Sequence, residues 1–116
     1  MLRINWKAIR IFIRTGATDM RKQIGSLSIM VREEFKTNPC DGNLYMFCGT
    51  HRHTIKILYW DRNGFCLWTK KCTTDSFPWP LSKNEVKEID RKKWKYILDG
   101  IDFWKAHQEK KYDGVI

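Results

Sequence analysis

Short apolar segments with period-two alternation, and one stretch of helical spacing between the first two of them, predict an α+β fold for this 116-residue chain. The expected architecture is a small, mainly antiparallel sheet packed against one long helix, with a short C-terminal helix. Residues 1–104 read as a single α+β domain and residues 105–116 as a polar tail with little periodicity.

Ile9, Ile11 and Ile13 alternate with Arg10, Phe12 and Arg14, the pattern of a half-buried strand, and Gly16 ends it. Thr18 and Asp19 are good helix N-caps, and Met20, Ile24, Leu27, Val31 and Phe35 follow at helical spacing. These residues predict the long helix, with Gly25 weakening it by about 1 kcal/mol relative to Ala. Asn38-Pro39-Cys40-Asp41-Gly42 is the break after it.

Strands are expected over Asn43–Cys48, Thr54–Trp60 and Phe65–Lys71. The last two flank Asp61-Arg62-Asn63-Gly64, where Asp first and Gly fourth suit a type I turn with Gly64 left-handed in a bulge. A three-residue loop sets Lys56 opposite Lys70, and a two-residue Asn63-Gly64 loop sets Lys56 opposite Lys71. Either register faces two lysines across the hairpin, which costs stability unless an anion relieves it. The alternative is that both side chains splay into water at the end of the sheet.

Phe77-Pro78-Trp79-Pro80 must be extended, because each proline disfavours helix at the residue before it. Its aromatic rings are expected to latch over the sheet. A short strand around Val86 to Ile89 precedes Asp90, an N-cap. Trp94, Ile97, Leu98 and Ile101 then form the apolar face of a short helix that closes at Gly100.

Charge is the first functional signal. Twenty-two Lys and Arg stand against thirteen Asp and Glu, a net of +9. Residues 1–72 carry +8 of this and residues 73–116 only +1. Such a balance points to nucleic acid or another polyanion as partner. Arg10 and Arg14 share one strand face. Arg21 and Lys22 are expected in the first turn of the long helix, a poor place for cations on macrodipole grounds, so another reason must hold them there. Arg52, Lys56, Arg62, Lys70 and Lys71 populate the hairpin region, interleaved with Trp60 and Trp68. Lys and Arg supply phosphate contacts, and aromatic rings can add stacking on single strands, although Trp60 and Trp68 are expected in the core first. No helix-turn-helix or zinc finger is visible, so sequence-specific reading of the major groove is not expected.

Other chemistries lack their signatures. No apolar run approaches the ~18 residues of a membrane helix, and the N-terminus lacks a signal peptide's apolar stretch, so a cytoplasmic protein is expected. Cys40, Cys48, Cys66 and Cys72 form no C-x2-C pair; reduced thiols are expected, and no metal or other cofactor. Nucleotide-binding and hydrolase motifs are missing, and no small-molecule substrate is expected. Asp19, Asp61, Asp75 and Asp102 could be proposed to hold Mg²⁺ in a nuclease, yet each suits a cap, turn or loop. His51 and His53, expected on a strand face in a basic stretch, extend a phosphate-facing surface.

Thr18-Asp19-Met20-Arg21-Lys22 followed by Gly25 and Leu27, Tyr59-Trp60-Asp61 with Gly64-Phe65, Phe77-Pro78-Trp79-Pro80, and Leu98-Asp99-Gly100-Ile101-Asp102-Phe103 occur in this order. Together they resemble the TnpB-like, second-open-reading-frame proteins of insertion-sequence sixty-six type transposons, over about Ile11 to Phe103. The resemblance implies a small bacterial protein encoded beside a separate, larger transposase and needed for efficient transposition. It attaches no catalytic role to the motifs and does not include the cysteines. The stretch matching Cys48 to His53 is usually arginine-rich in the family. His51 and His53 stand there instead, which implies weaker or pH-dependent binding at that loop.

The expected function is therefore a non-catalytic accessory protein for DNA transposition. It binds DNA mainly through phosphates, with Arg10, Arg14, Arg21, Lys22, Arg52, Lys56, Arg62, Lys70 and Lys71 as contacts. Expected partners are DNA, the transposase and other proteins of the same mobile element. The alternatives are a module that docks on the transposase through its aromatic segments and a metal-dependent nuclease.

Overall fold

The computed structural model describes residues 7–81 and 83–100. Short apolar segments build β1 (Ile11–Arg14), β2 (Leu44–Cys48), β3 (Thr54–Asp61), β4 (Gly64–Lys71) and β5 (Val86–Ile89), joined in one sheet of order β4-β3-β2-β1-β5. β1 and β2 run parallel, as a connection long enough to carry a helix allows, and every other neighbouring pair is antiparallel. The mainly antiparallel α+β sheet is as expected.

The long helix is not. Helix α1 (Ile24–Met30) has seven residues and runs on into five π-helical residues, Val31–Phe35. It starts late because Asp19 is engaged in a turn of its own, and Gln23 at the N-cap makes no side-chain cap. It ends where Lys36 turns left-handed, with φ 58°. Leu27, Val31 and Phe35 recur every four residues, slower than an α-helical turn, and the wider π turn keeps Phe35 over the sheet. There these three pack on Tyr45, Phe47 and Leu58.

The opposite face of the sheet is covered by the Phe77–Pro80 segment and by α2 (Arg91–Asp99), which contribute Phe77, Trp79 and Ile97 to a core with Ile13, Met46 and Ile57. Covered on both sides, β2 is buried along its whole length. The Trp79 Nε1–H donates to the Arg14 and Gly16 carbonyls, both at 3.2 Å, so the aromatic segment is the expected latch. Gly16 has φ 81°, and a Cβ there would lie 1.9 Å from Asn84 Oδ1, so only glycine fits. The Asp90 side chain caps α2 by accepting the Lys93 N–H at 2.8 Å, and Gly100 closes it with φ 83°. Ile101, the boundary at 104 and the tail 105–116 lie outside the described residues.

The β3–β4 hairpin adopts neither expected register. Asp61 pairs with Gly64 across an Arg62-Asn63 turn, so Lys56 faces Thr69, Ile55 faces Lys70 and Thr54 faces Lys71. Positive φ falls on Arg62, at 55°, rather than on Gly64. The Asn63 N–H donates back to the Asp61 carbonyl. Burial decides the register: it pairs Ile57 with Trp68 and Tyr59 with Cys66 on one face, and Leu58 with Leu67 on the other. The lysine-on-lysine pair therefore does not exist.

Candidate nucleic-acid interface

The segment between β1 and α1 is a pinned loop rather than a helix start. Thr18 is buried, and its N–H donates to the Cys48 carbonyl at 2.8 Å. The Asp19 carboxylate accepts the Arg21 backbone N–H at 2.9 Å, and the Lys22 N–H donates to the Asp19 carbonyl at 3.1 Å. A short polar side chain used in this way competes with helix formation, which is why Thr18 and Asp19 do not cap and why Arg21 and Lys22 precede α1. Their conflict with the helix dipole disappears. Met20 packs on the next loop, where a Cβ on Gly49 would lie 2.7 Å from Met20 Cγ.

Two of the expected phosphate contacts are struts of this loop. Arg14 is 9% exposed; its Nε donates to Glu34 Oε1 at 2.6 Å, and its Nη1 donates to the Ala17 carbonyl at 2.8 Å and to Thr18 Oγ1 at 3.2 Å. Lys56 is 6% exposed, and its Nζ donates to the Lys22 carbonyl at 2.8 Å. Both ends of the loop are thus held from inside the protein by charged side chains. Alternation in the sequence places Arg14 and Lys56 on strands, but only the packed structure tells which face α1 covers.

The remaining cations divide between the two ends of the sheet. Arg21 and Lys22 in the pinned loop, Arg52 in the β2–β3 loop, and Lys70 and Lys71 at the end of β4 gather at one end, since Thr54 faces Lys71 across the hairpin. Arg10 and Arg62 lie at the other end, a β3 length or about 25 Å away. Arg10 is also neutralised there by Glu88, with Nη2 to Oε1 at 2.7 Å, and its guanidinium lies 5.1 Å from the Phe12 ring centre. Lys70 Nζ donates to the Leu98 carbonyl at the C-terminus of α2, at 2.7 Å, a favourable place for a cation. Trp60 and Trp68 are half-buried.

The pinned loop forms a ridge between two open grooves. One, of about 440 Å³, separates it from α1 and is lined by Lys22, Ser26 and Glu33. The other, of about 630 Å³, separates it from residues 49–54 and is lined by Arg21, Thr50, His51, His53 and Thr54. His51 and His53 lie in the loop before β3, not on a strand, with ring centres 6.4 Å apart. His53 Nδ1 is 2.9 Å from the Asp75 carbonyl oxygen. The Arg21 side chain, 91% exposed, binds Asp19 with Nη2 to Oδ2 at 2.7 Å. That hydrogen bond holds the Asp19 carboxyl well below the usual carboxylate range. Asp19 as the partner of Arg21 was not read from the sequence, although an Asp two residues before an Arg is the spacing of such a turn.

No group of three His, Cys, Asp or Glu side chains that could hold a metal ion occurs among the described residues. All four cysteines are free thiols. Burial pushes the Cys48 thiol up to about 12. At pH 8, alkylation of the folded protein is therefore expected to modify exposed Cys40 and to spare Cys48 until the chain is unfolded, as read by peptide mass mapping.

These features define a small, basic α+β protein whose surface chemistry is concentrated on loops at one end of a sheet. The chain belongs to the family of IS66 Orf2-like proteins, whose family model matches residues 9–108. It is 40% identical over 101 residues to uncharacterized protein y4hO of Sinorhizobium fredii, covering 87% of each chain. It is 21% identical over 103 residues to uncharacterized protein y4jC of the same organism, covering 89% of this chain and 88% of that one. No solved structure matches it. Membership gives the chain an accessory role in transposition, in association with the transposition machinery. No helix among the described residues is long and apolar enough to cross a membrane.

Proposed function

We propose that this chain is a non-catalytic accessory protein for DNA transposition that binds DNA through phosphate contacts at the loop end of its sheet. One observation carries the reading: Arg21, Lys22, Arg52, Lys70 and Lys71 gather at one end of a chain of net charge +9, beside a loop held rigidly from below. Lys and Arg placed in this way neutralise phosphates and displace counterions without reading sequence. The Asp19–Arg21 pair does not oppose this, because an exposed ion pair contributes little and a phosphate can take the carboxylate's place on the guanidinium. Phe77 and Trp79, the rings that docking on the transposase would use, are 1% and 3% exposed and already serve the core.

The test is the double variant Arg21→Glu, Lys71→Glu. It is expected to bind transposon-end and random duplexes more weakly by the same factor, with the salt slope of binding reduced by about 2. Unchanged affinity overturns the proposed surface. Asp19→Asn keeps an oxygen for the turn but removes the carboxylate from Arg21, and is expected to tighten binding to every duplex alike in fluorescence anisotropy.

A further inference from the structure

Strand β4 has β3 on one side and no strand on the other among the described residues. The turn determines which backbone groups it leaves open. In a two-residue hairpin the flanking residues, here Asp61 and Gly64, exchange hydrogen bonds, and bonded and non-bonded pairs alternate from there. The Cys72 N–H to His53 carbonyl bond, at 2.7 Å, has the same parity at the far end. Gly64, Cys66, Trp68 and Lys70 therefore bond to β3, whereas Phe65, Leu67, Thr69 and Lys71 direct their N–H and C=O groups outward.

Among the described residues this edge lacks the usual protection. It runs eight residues with no proline, its register with β3 has no bulge, and its lysines stand at one end. Phe65, Cys66, Leu67 and Trp68 are each only half-buried, where β2 is buried throughout. The other edge, β5, is four residues long and carries Lys87 and Glu88.

We propose that β4 pairs antiparallel with β4 of a second copy of this chain, across a two-fold axis at Leu67. Leu67 then faces the partner's Leu67, Phe65 faces the partner's Thr69, and on the other face Cys66 meets the partner's Trp68. Lys71 falls opposite the partner's Asn63, so no cation faces a cation. Moving the axis to Cys66 sets Arg62 against the partner's Lys70, and moving it to Trp68 sets Lys71 against the partner's Phe65. Only the Leu67 axis keeps apolar side chains in the middle and separates the charges. The resulting interface is self-complementary and closed, as a two-fold dimer requires. Because each copy carries +9, added salt favours this association, the opposite of its effect on phosphate binding.

Sedimentation of the full chain over a range of concentrations is expected to show the mass doubling, at lower concentration when salt is raised. Thr69→Pro removes an outward N–H that takes no partner among the described residues, and is expected to give a monomer that melts at the parent's temperature only at concentrations where the parent is itself monomeric. Leu67→Cys is expected to oxidise to a symmetric disulfide. The two Cα atoms of a hydrogen-bonded antiparallel pair lie about 5.5 Å apart, within disulfide reach. Thr69→Cys, four residues out of register with its own copy, is expected not to link. Should Thr69→Pro fail to fold, the pattern of cysteine linkage decides. A chain that is monomeric throughout, or a dimer that Leu67→Cys does not link, overturns the proposal. So does a monomer whose β4 amides gain exchange protection only when transposase is added, since that places a different protein on the edge.

Discussion

Replacing Trp79 by Ala is expected to destabilise the protein by about 3–5 kcal/mol. Trp79 is 3% exposed, packs with Phe77 and Ile97 over the sheet, and donates its indole N–H to two carbonyls at the end of β1. The substitution opens a ring-sized cavity and strips the Arg14 and Gly16 carbonyls of that donor. Native stabilities of about 5–15 kcal/mol leave little margin for such a loss. A urea titration checks it: the midpoint should fall steeply at constant slope, and Trp79→Phe should lie between Trp79→Ala and the parent. A midpoint that barely moves would show that the Phe77–Pro80 segment is not part of the core.

Lys56→Glu is expected to have an effect of similar size, because it places a carboxylate where α1 covers the sheet and the hydrogen-bond partner of Lys56 among the described residues is a carbonyl oxygen. An uncompensated buried charge of this kind costs about 3–5 kcal/mol. Lys56→Met, which matches the length of the stem and carries no charge, should leave the melting temperature nearly unchanged. It should nonetheless loosen the pinned loop, since the Lys22 carbonyl loses its partner. Hydrogen exchange checks this at residues 18–22, where protection should drop in Lys56→Met while the strands keep theirs. The same variant separates a strut from a phosphate contact. A strut leaves the salt slope of DNA binding unchanged, whereas a contact lowers it by about 1.

The fold was largely legible because its signals are local. Period-two alternation placed β1, apolar runs and the turn between them placed β2, β3 and β4, Asp90 and Gly100 bounded α2, and Phe77-Pro78-Trp79-Pro80 announced its own extended path. The failures share a cause: each depends on a contact distant in sequence or on a choice between near-equal local options. Thr18 and Asp19 look like caps until the Asp19 carboxylate is seen to bond to Arg21 and the Thr18 N–H to be taken by Cys48. The hairpin takes neither expected register, one residue away from the pairing of Lys56 with Lys70, because Asp61 to Gly64 admits several turns and the packing of Ile57, Leu58 and Tyr59 selects the Arg62-Asn63 turn. A single residue of slip inverts which lysines face out. Composition shows that the chain is basic, but not that Arg14 and Lys56 turn inward while Arg21, Lys70 and Lys71 remain exposed.

The salt dependence of DNA binding by the unmodified chain, followed by fluorescence anisotropy on transposon-end duplex, random duplex and single strand, tests the proposed phosphate-binding surface most directly. Phosphate contacts through the loop end predict log K falling linearly with log salt at a slope of roughly −3 to −5 on both duplexes. A slope near zero, or negligible binding at ~100 mM salt, would contradict it.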